Sequence, residues 1–346
     1  MSLDFRAVPE SESARLWRFL HGVFQPAESA PFIEPGQMHW KYWESHPSWT
    51  GSRSYVYVDD SEEIIAHACA WPFSLRTTET TLTGAHPIDW AAGMKVPGAG
   101  ALLLRQIRAL RDISCCIGGT EIAQKVIRQT GFRPATTMQL LALPLRPVRQ
   151  ALNHQWRNWK LPARLLRNTA WMMSAASVPS GWTAELVRPT DIPDELLPSP
   201  AQGLAVAHRS AALFEYILKC PTARYQIWLV RQGSEPRGYF LLSFVPGQAR
   251  IADAWIASAK SEPWRALYAL SVQVALRDSS VAEITTCATL GEAFAGAAAC
   301  GFRSYTELAV MLFDSKNYLA PVNQFHMQMI DNDMSFMHGN CIEYAT

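Results

Sequence analysis

A lysine, two spacers, a glycine, a spacer and a second glycine run from Lys95 to Gly100: Lys95, Val96, Pro97, Gly98, Ala99, Gly100. A leucine-rich stretch follows directly. Gly98 and Gly100 let a backbone turn tightly and present its N–H groups. Leu103, Ile107 and Leu110 then recur on one helical face while Arg105, Arg108 and Arg111 point away. The pattern predicts a turn feeding a helix N-terminus, where unpaired N–H groups and the positive end of the macrodipole favour an anion. A phosphate suits that chemistry; an ordinary glycine turn ahead of a core helix is the other reading. Two common phosphate loops are excluded. A dinucleotide fingerprint requires a third glycine where Leu103 stands, and a Walker A loop starting at Gly93 requires Lys, then Ser or Thr, where Ala99 and Gly100 stand.

The elements around this turn occur twice. "HWKYWESHP" precedes "SYVYVDDSEEIIAHACAWPF", two β-rich runs about an acidic turn, and later "LFEYILKCP" precedes "YQIWLVRQGSEPRGYFLLSF". "HPIDWAAG" is matched by "ARIADAWIAS", with Asp89-Trp90 facing Asp253-Ala254-Trp255. Each is followed by a helical stretch, a short apolar strand ("ISCCIGG", "EITTCAT"), a second helix, the pair Gly131-Phe132 or Gly301-Phe302, and a closing strand ("TTMQLLALPL", "TELAVMLF"). Landmarks that keep their order across both halves indicate a duplication.

At 346 residues the chain is about right for two domains, and 49% hydrophobic against 18% charged residues can fill two cores. A formal net charge of +1 argues against nucleic acid as the partner. No apolar run reaches the roughly 18 residues a membrane span requires, so no stable membrane insertion is expected, and the charged start is unlike a secretory signal. A cytoplasmic setting follows. The seven cysteines lack metal-ligand spacing and suit reduced thiols. Asp331 and Asp333 superficially resemble a calcium loop, but Phe336 and Ile342 stand where glycine and an acid are needed, so no metal is expected.

The run from Lys95 to Gly100 resembles the pyrophosphate loop of the GNAT acyltransferases, and "IAQKVIRQTGFRP" looks like their second motif, a helix ending in Gly-Phe. The resemblance covers most of the chain. It implies an α+β fold of two tandem GNAT-like domains, each a mixed, mostly antiparallel sheet flanked by helices. The divisions are an acyl-CoA-binding domain at 1–146, a basic aromatic linker at 147–178 and a degenerate domain at 179–346. In the second domain "SAKSEPWRAL" keeps Pro263 but neither glycine, so cofactor binding is expected in the first. From Ile122 to Ala184 there is no Asp or Glu, while nine Lys and Arg occur, interleaved late with Trp156, Trp159 and Trp171. Such a stretch fits a membrane surface, a phosphate-bearing substrate or a solvated interdomain linker.

The implied cofactor is acetyl-CoA or another acyl-CoA, and the implied reaction is attack of an amine on the thioester carbonyl. The amine must first lose a proton, so a carboxylate or His near the third strand is the expected base. Asp89 stands where the family commonly places an acid, with His86 three residues upstream as the second candidate. Trp90 or Ala91 supplies an N–H to the oxyanion, and Lys95, Val96, Pro97, Gly98, Ala99 and Gly100 hold the pyrophosphate. Ile127 replaces the tyrosine that usually protonates the thiolate, which leaves the general acid unassigned. Cys115 and Cys116 read as buried fillers. The acceptor is a small molecule, and family association alone suggests an amino sugar. The other readings are a catalytically silent binding protein of the same fold and a FemAB-like aminoacyl transferase.

Overall fold

A computed structural model describes residues 3–25, 31–152, 159–339 and 343–346; the readings at Trp156, Arg157, Cys341 and Ile342 fall outside them. The first copy runs β1 (Leu3–Ala7), α1 (Ser13–Phe24), α2 (Pro35–Tyr42), β2 (Ser54–Asp59), β3 (Ile64–Arg76), β4 (Thr81–Ala92), α3 (Ala99–Ile107), β5 (Ile113–Ile117), α4 (Glu121–Gln129) and β6 (Arg133–Pro144). Two short helices, α5 (Pro147–Ala151) and α6 (Leu161–Met172), lead to the second copy. That copy runs β7 (Trp182–Val187), β8 (Leu204–Ala207), α7 (Ala211–Leu218), β9 (Arg224–Gln232), β10 (Glu235–Val245), β11 (Gln248–Ile256), α8 (Ser261–Ala275), β12 (Glu283–Ala288), α9 (Gly291–Ala299), β13 (Arg303–Asp314) and β14 (Gln324–His326).

Local chemistry sets these boundaries. Pro35 opens α2, where a missing N–H costs nothing, and Thr120 caps α4 by accepting the Ala123 N–H. Between β2 and β3, the Asp59 carboxylate accepts the N–H groups of Ser61 and Glu63 and so closes the turn. β3 is buried at nearly every position because elements cover both of its faces, and alternation is lost as it is in other doubly covered strands.

The strand order is β1-β2-β3-β4-β5-β13-β6-β12-β11-β10-β9-β7, one continuous sheet. Its centre is an exchange. β6, the last strand of the first copy, lies antiparallel to β12 of the second, while β13, the last strand of the second copy, lies antiparallel to β5 of the first. β6 and β13 then pair with each other. On either side of this centre sits a parallel pair, β4–β5 and β11–β12, which matches the two halves across an approximate two-fold.

The core follows the sheet across the join. One apolar cluster includes Trp40 and Trp71 from the first copy, Tyr216 and Trp255 from the second, and Ile330 and Phe336 from the C-terminal segment. Polar ends of these aromatics are satisfied across the copies: Trp40 Nε1 donates to the Tyr216 carbonyl at 3.1 Å and Trp71 Nε1 to the Ile330 carbonyl at 3.1 Å. The buried Arg53 donates to the carbonyls of Lys41 and Trp40 and to the Tyr216 hydroxyl, so its charge is solvated by backbone and one phenol.

Because β6 has both of its neighbours in the second copy, a fragment ending at residue 146 keeps a strand with no partner and leaves β5 with an open edge. Expressed alone, residues 1–146 should aggregate or lack a cooperative thermal transition. Co-expressed with 147–346, they should return a soluble complex. A soluble, cooperatively melting 1–146 fragment would overturn the exchange.

Candidate functional site

β4 and β5 pair only at Gly84–Ile113 and Ala85–Ser114 and then part. At the point of parting, His86 Nδ1 lies 2.8 Å from the Cys115 carbonyl. A carbonyl only accepts, so Nδ1 carries the hydrogen. Burial pushes this ring down to about 4, which keeps it neutral near pH 7. One step further, Asp89 and Trp90 stand opposite the single Ala68, a β-bulge. Asp89 itself has φ of 50°, a left-handed conformation that Asp tolerates better than most side chains.

The bulge aims Trp90 at the glycine turn. Its Nε1 donates to the Gly100 carbonyl at 3.0 Å, tying strand β4 to the first turn of α3. Gly98, the N-cap of α3, has φ of 85°, and a Cβ on Gly100 would lie 3.2 Å from Ala92 Cβ and 3.4 Å from Trp90 Nε1. Glycine is thus favoured at 98 by its dihedral, and at 100 a Cβ would make Ala92 and Trp90 give by a few tenths of an ångström. Ala99 and Ala91 are buried, Val96 is half-buried against the same cluster, and Pro97 is exposed. Among the described residues the N–H groups of Gly100 and Ala101 make no hydrogen bond, so the α3 terminus presents free donors. Lys95 is engaged elsewhere: its Nζ lies 2.8 Å from Asp59 Oδ2 and 2.5 Å from Glu63 Oε2. Lys95 is therefore turned to these carboxylates, and the unpaired donors at the turn are backbone ones.

The second copy is built differently at the matching place. β11 and β12 pair over four positions and part after Ile251 and Thr286. The C-terminal segment enters this gap. His326 packs on Trp255 with ring centroids 4.7 Å apart, Met327 N–H donates to Thr289 Oγ1, and Cys287 Sγ contacts Gln328 Oε1. Trp264 is fully buried with its ring centroid 6.3 Å from that of His326, and Gly296 of α9 approaches it so nearly that a Cβ would lie 2.5 Å from Trp264 Cβ. In the first copy, by contrast, Met94, Leu102 and Ile122 on the flanking turn and helices remain exposed.

Asp89 has partners that were not apparent from sequence. Lys41 Nζ and the Tyr42 hydroxyl, which donates at 2.7 Å, both meet Asp89 Oδ2. Lys41 is 1% exposed and Asp89 5%, so this is a buried ion pair. Burial and the Asp89 charge push the Tyr42 hydroxyl well up, which keeps it a donor. Behind it, His67 Nδ1–H donates to the Asp89 carbonyl at 3.0 Å and Ser54 Oγ–H serves Nε2. Asp333 approaches from the C-terminal segment; burial and the Asp89 carboxylate raise its carboxyl to about 6, against the opposing pull of Lys41. The matching acid of the second copy, Asp253, is clamped by Arg209 and Tyr239, with Arg209 also bridging to Asp331. The repeat of an acid at Asp89 and Asp253 was the available signal for these cations. Ile127 is buried with Leu104, Cys116 and Phe132, so the place of the family's tyrosine is apolar core.

Removing the Asp89 charge strands a buried ammonium. Asp89→Asn should therefore lower unfolding free energy by about 3–5 kcal/mol, read by urea denaturation, and Lys41→Met with Asp89→Asn should recover most of it. Equal stability of Asp89→Asn and the parent would show that the pair carries no such weight.

No protein-family model matches the sequence and no curated protein matches it. Solved structures do match. A GCN5-related N-acetyltransferase from Anabaena variabilis ATCC 29413 superposes with a TM-score of 0.61 at 13% identity, covering 92% of this chain and 74% of that one. A tandem GNAT protein from the clavulanic acid biosynthesis pathway gives 0.56 at 13%, covering 90% and 98%. Saccharomyces cerevisiae N-myristoyltransferase, solved with bound myristoyl-CoA, gives 0.58 at 10%, covering 90% and 83%. At such identities what is shared is the arrangement of the chain, and that arrangement is the tandem GCN5-related N-acetyltransferase fold.

Proposed function

We propose that the chain is an acyl-CoA-dependent N-acyltransferase whose first copy binds the cofactor, acetyl-CoA or a longer acyl-CoA, and whose acceptor is a small-molecule amine. The observation that carries this reading is the inequality of the two clefts. The first has a glycine turn, unpaired N–H donors and exposed apolar side chains on the flanking turn and helices, whereas the second is filled by the chain's own C-terminal segment. The bound myristoyl-CoA of the yeast structure with this fold supports the cofactor class.

The residues present fit such a cofactor. Gly98, Gly100 and Ala101 would receive the pyrophosphate on backbone N–H groups at the positive end of α3, the Ala99 N–H being held by the Val96 carbonyl, and the Gly100 cradle is one that a Cβ would fill. When bound, acyl-CoA supplies a thioester carbonyl that an amine can attack, with the thiolate as leaving group. The bulge at Asp89–Trp90 interrupts the β3–β4 register, and the Trp90 and Ala91 N–H groups beside it are the candidates that would serve the oxyanion. With both carboxylates ionised, Asp89, Asp333 and Lys41 sum to one negative charge, which attracts an ammonium acceptor. Asp89 Oδ2 already accepts from Lys41 and Tyr42, so that oxygen is occupied. Asp333 is the better poised proton acceptor, and Asp89 holds Lys41 and shapes the bulge. His86 serves as a strut between the parting strands.

Two measurements test the reading. Gly98→Val should abolish the thermal stabilisation by acetyl-CoA, about 2.7 kcal/mol at a hundredfold excess over Kd, while Ser261→Val in the second copy should leave it intact. Loss with Ser261→Val alone would reverse the assignment. Turnover should rise with pH through about 6 as Asp333 loses its proton, and Asp333→Asn should remove that limb with a loss of roughly 10²–10⁴ in kcat. An unchanged profile in Asp333→Asn would take Asp333 out of the reaction.

A further inference from the structure

The connector between the copies has an outer surface that the acyl-transfer reading does not use. Helix α6 is held to the body by one face: Asn168 and Trp171 are buried, Trp171 Nε1 donates to the Gly301 carbonyl at 2.7 Å, and Asn168 Nδ2 donates to Gln150 Oε1 of α5 at 2.9 Å. The opposite face is apolar. Trp159, Ala163, Leu166, Ala170 and Met173 follow one another at spacings of four, three, four and three, and all are exposed, Trp159 by 85%, Leu166 by 74% and Met173 by 78%. On α5, Val148 and Leu152 flank the buried Gln150 by two residues on each side and are 66% and 67% exposed. A soluble surface scatters such residues singly; here they form a stripe.

Cations border the stripe: Arg149, Lys160 and Arg167 are exposed beside it, while Arg164, half-buried, shares the inward face with Asn168 and Trp171, where Arg303 reaches over the Trp171 ring at 4.7 Å. The Arg167 guanidinium lies close enough to Arg164 and Arg303 to feel both charges. No Asp or Glu occurs anywhere from residue 122 to 184. A second copy of the chain would bring the same cations against one another, so self-association through this face is electrostatically opposed. A surface that offers hydrocarbon and phosphate together answers both halves of the pattern.

We propose that the outer face of α5 and α6 docks on an anionic lipid bilayer, with the apolar stripe at the headgroup–acyl boundary and the flanking cations on lipid phosphates. Trp159 at the start of the stripe is the residue type that favours this depth. The attachment is peripheral: among the described residues no helix is long and apolar enough to cross a membrane.

The test is co-sedimentation of the full chain with phosphatidylcholine vesicles, with and without phosphatidylglycerol. Binding is expected to the phosphatidylglycerol vesicles only and to be released by high salt. Leu166→Glu with Met173→Glu, and separately Arg149→Glu with Lys160→Glu, should each weaken it about tenfold or more while leaving the melting temperature and acetyl-CoA binding unchanged. Three outcomes overturn the proposal: no binding to phosphatidylglycerol vesicles, binding that neither double variant weakens, or a concentration-dependent dimer in sedimentation velocity that Leu166→Glu with Met173→Glu dissolves.

Discussion

A strand satisfies its outer N–H and C=O groups only against another strand, and β5 and β12 each find that neighbour in the opposite copy. The rest of the molecule depends on this exchange. It joins two sheets into one, forces the core to run through the join, and places the parting ends of β4–β5 and β11–β12 on either side of a shared centre. Separation of the copies would cost backbone hydrogen bonds as well as apolar contact, which couples the stability of one half to the other.

Within that frame each copy buries an acid beside the place where its parallel strands part, and each acid is neutralised by a cation and a phenol. Lys41 and Tyr42 serve Asp89, and Arg209 and Tyr239 serve Asp253. The difference lies in access. Arg209 is closed off between Asp253 and Asp331, with all three almost fully buried, and behaves as a structural staple. The first cluster faces Asp333, whose carboxyl burial pushes up to about 6, and a bulge at which Asp89 is left-handed, whereas Asp253, beside the bulge of β11, is not. Duplication followed by divergence of this kind leaves one half free to carry chemistry while the other carries stability.

Much of the fold was legible because it rests on local demands. Gly98 announces itself, since a helix N-cap at φ of 85° admits little else, and the doubled order of strands and helices survives in composition and spacing. The exchange was not legible. β6 and β13 are both closing strands of their copies, and no local residue encodes which copy supplies the partner of β5. Side-chain partners were equally hidden. Lys41 meets Asp89 across 48 positions, and Lys95, read as a cation for phosphate, meets Asp59 across 36, because a β-bulge and a turn bring them there. Asp333 looked like part of a failed metal loop; its importance comes only from where the C-terminal segment is laid down.

That segment has a kinetic and thermodynamic meaning of its own. Anchored through β13 and β14, residues 326–331 are covalently tethered occupants of the second cleft, held at an effective concentration on the order of millimolar or higher. Any free molecule of similar affinity present at lower concentration loses that competition, without a single residue in the cleft having to repel it. The gap in the second copy is thus filled by connectivity, and the same tether that occupies it carries Asp333 across to the first.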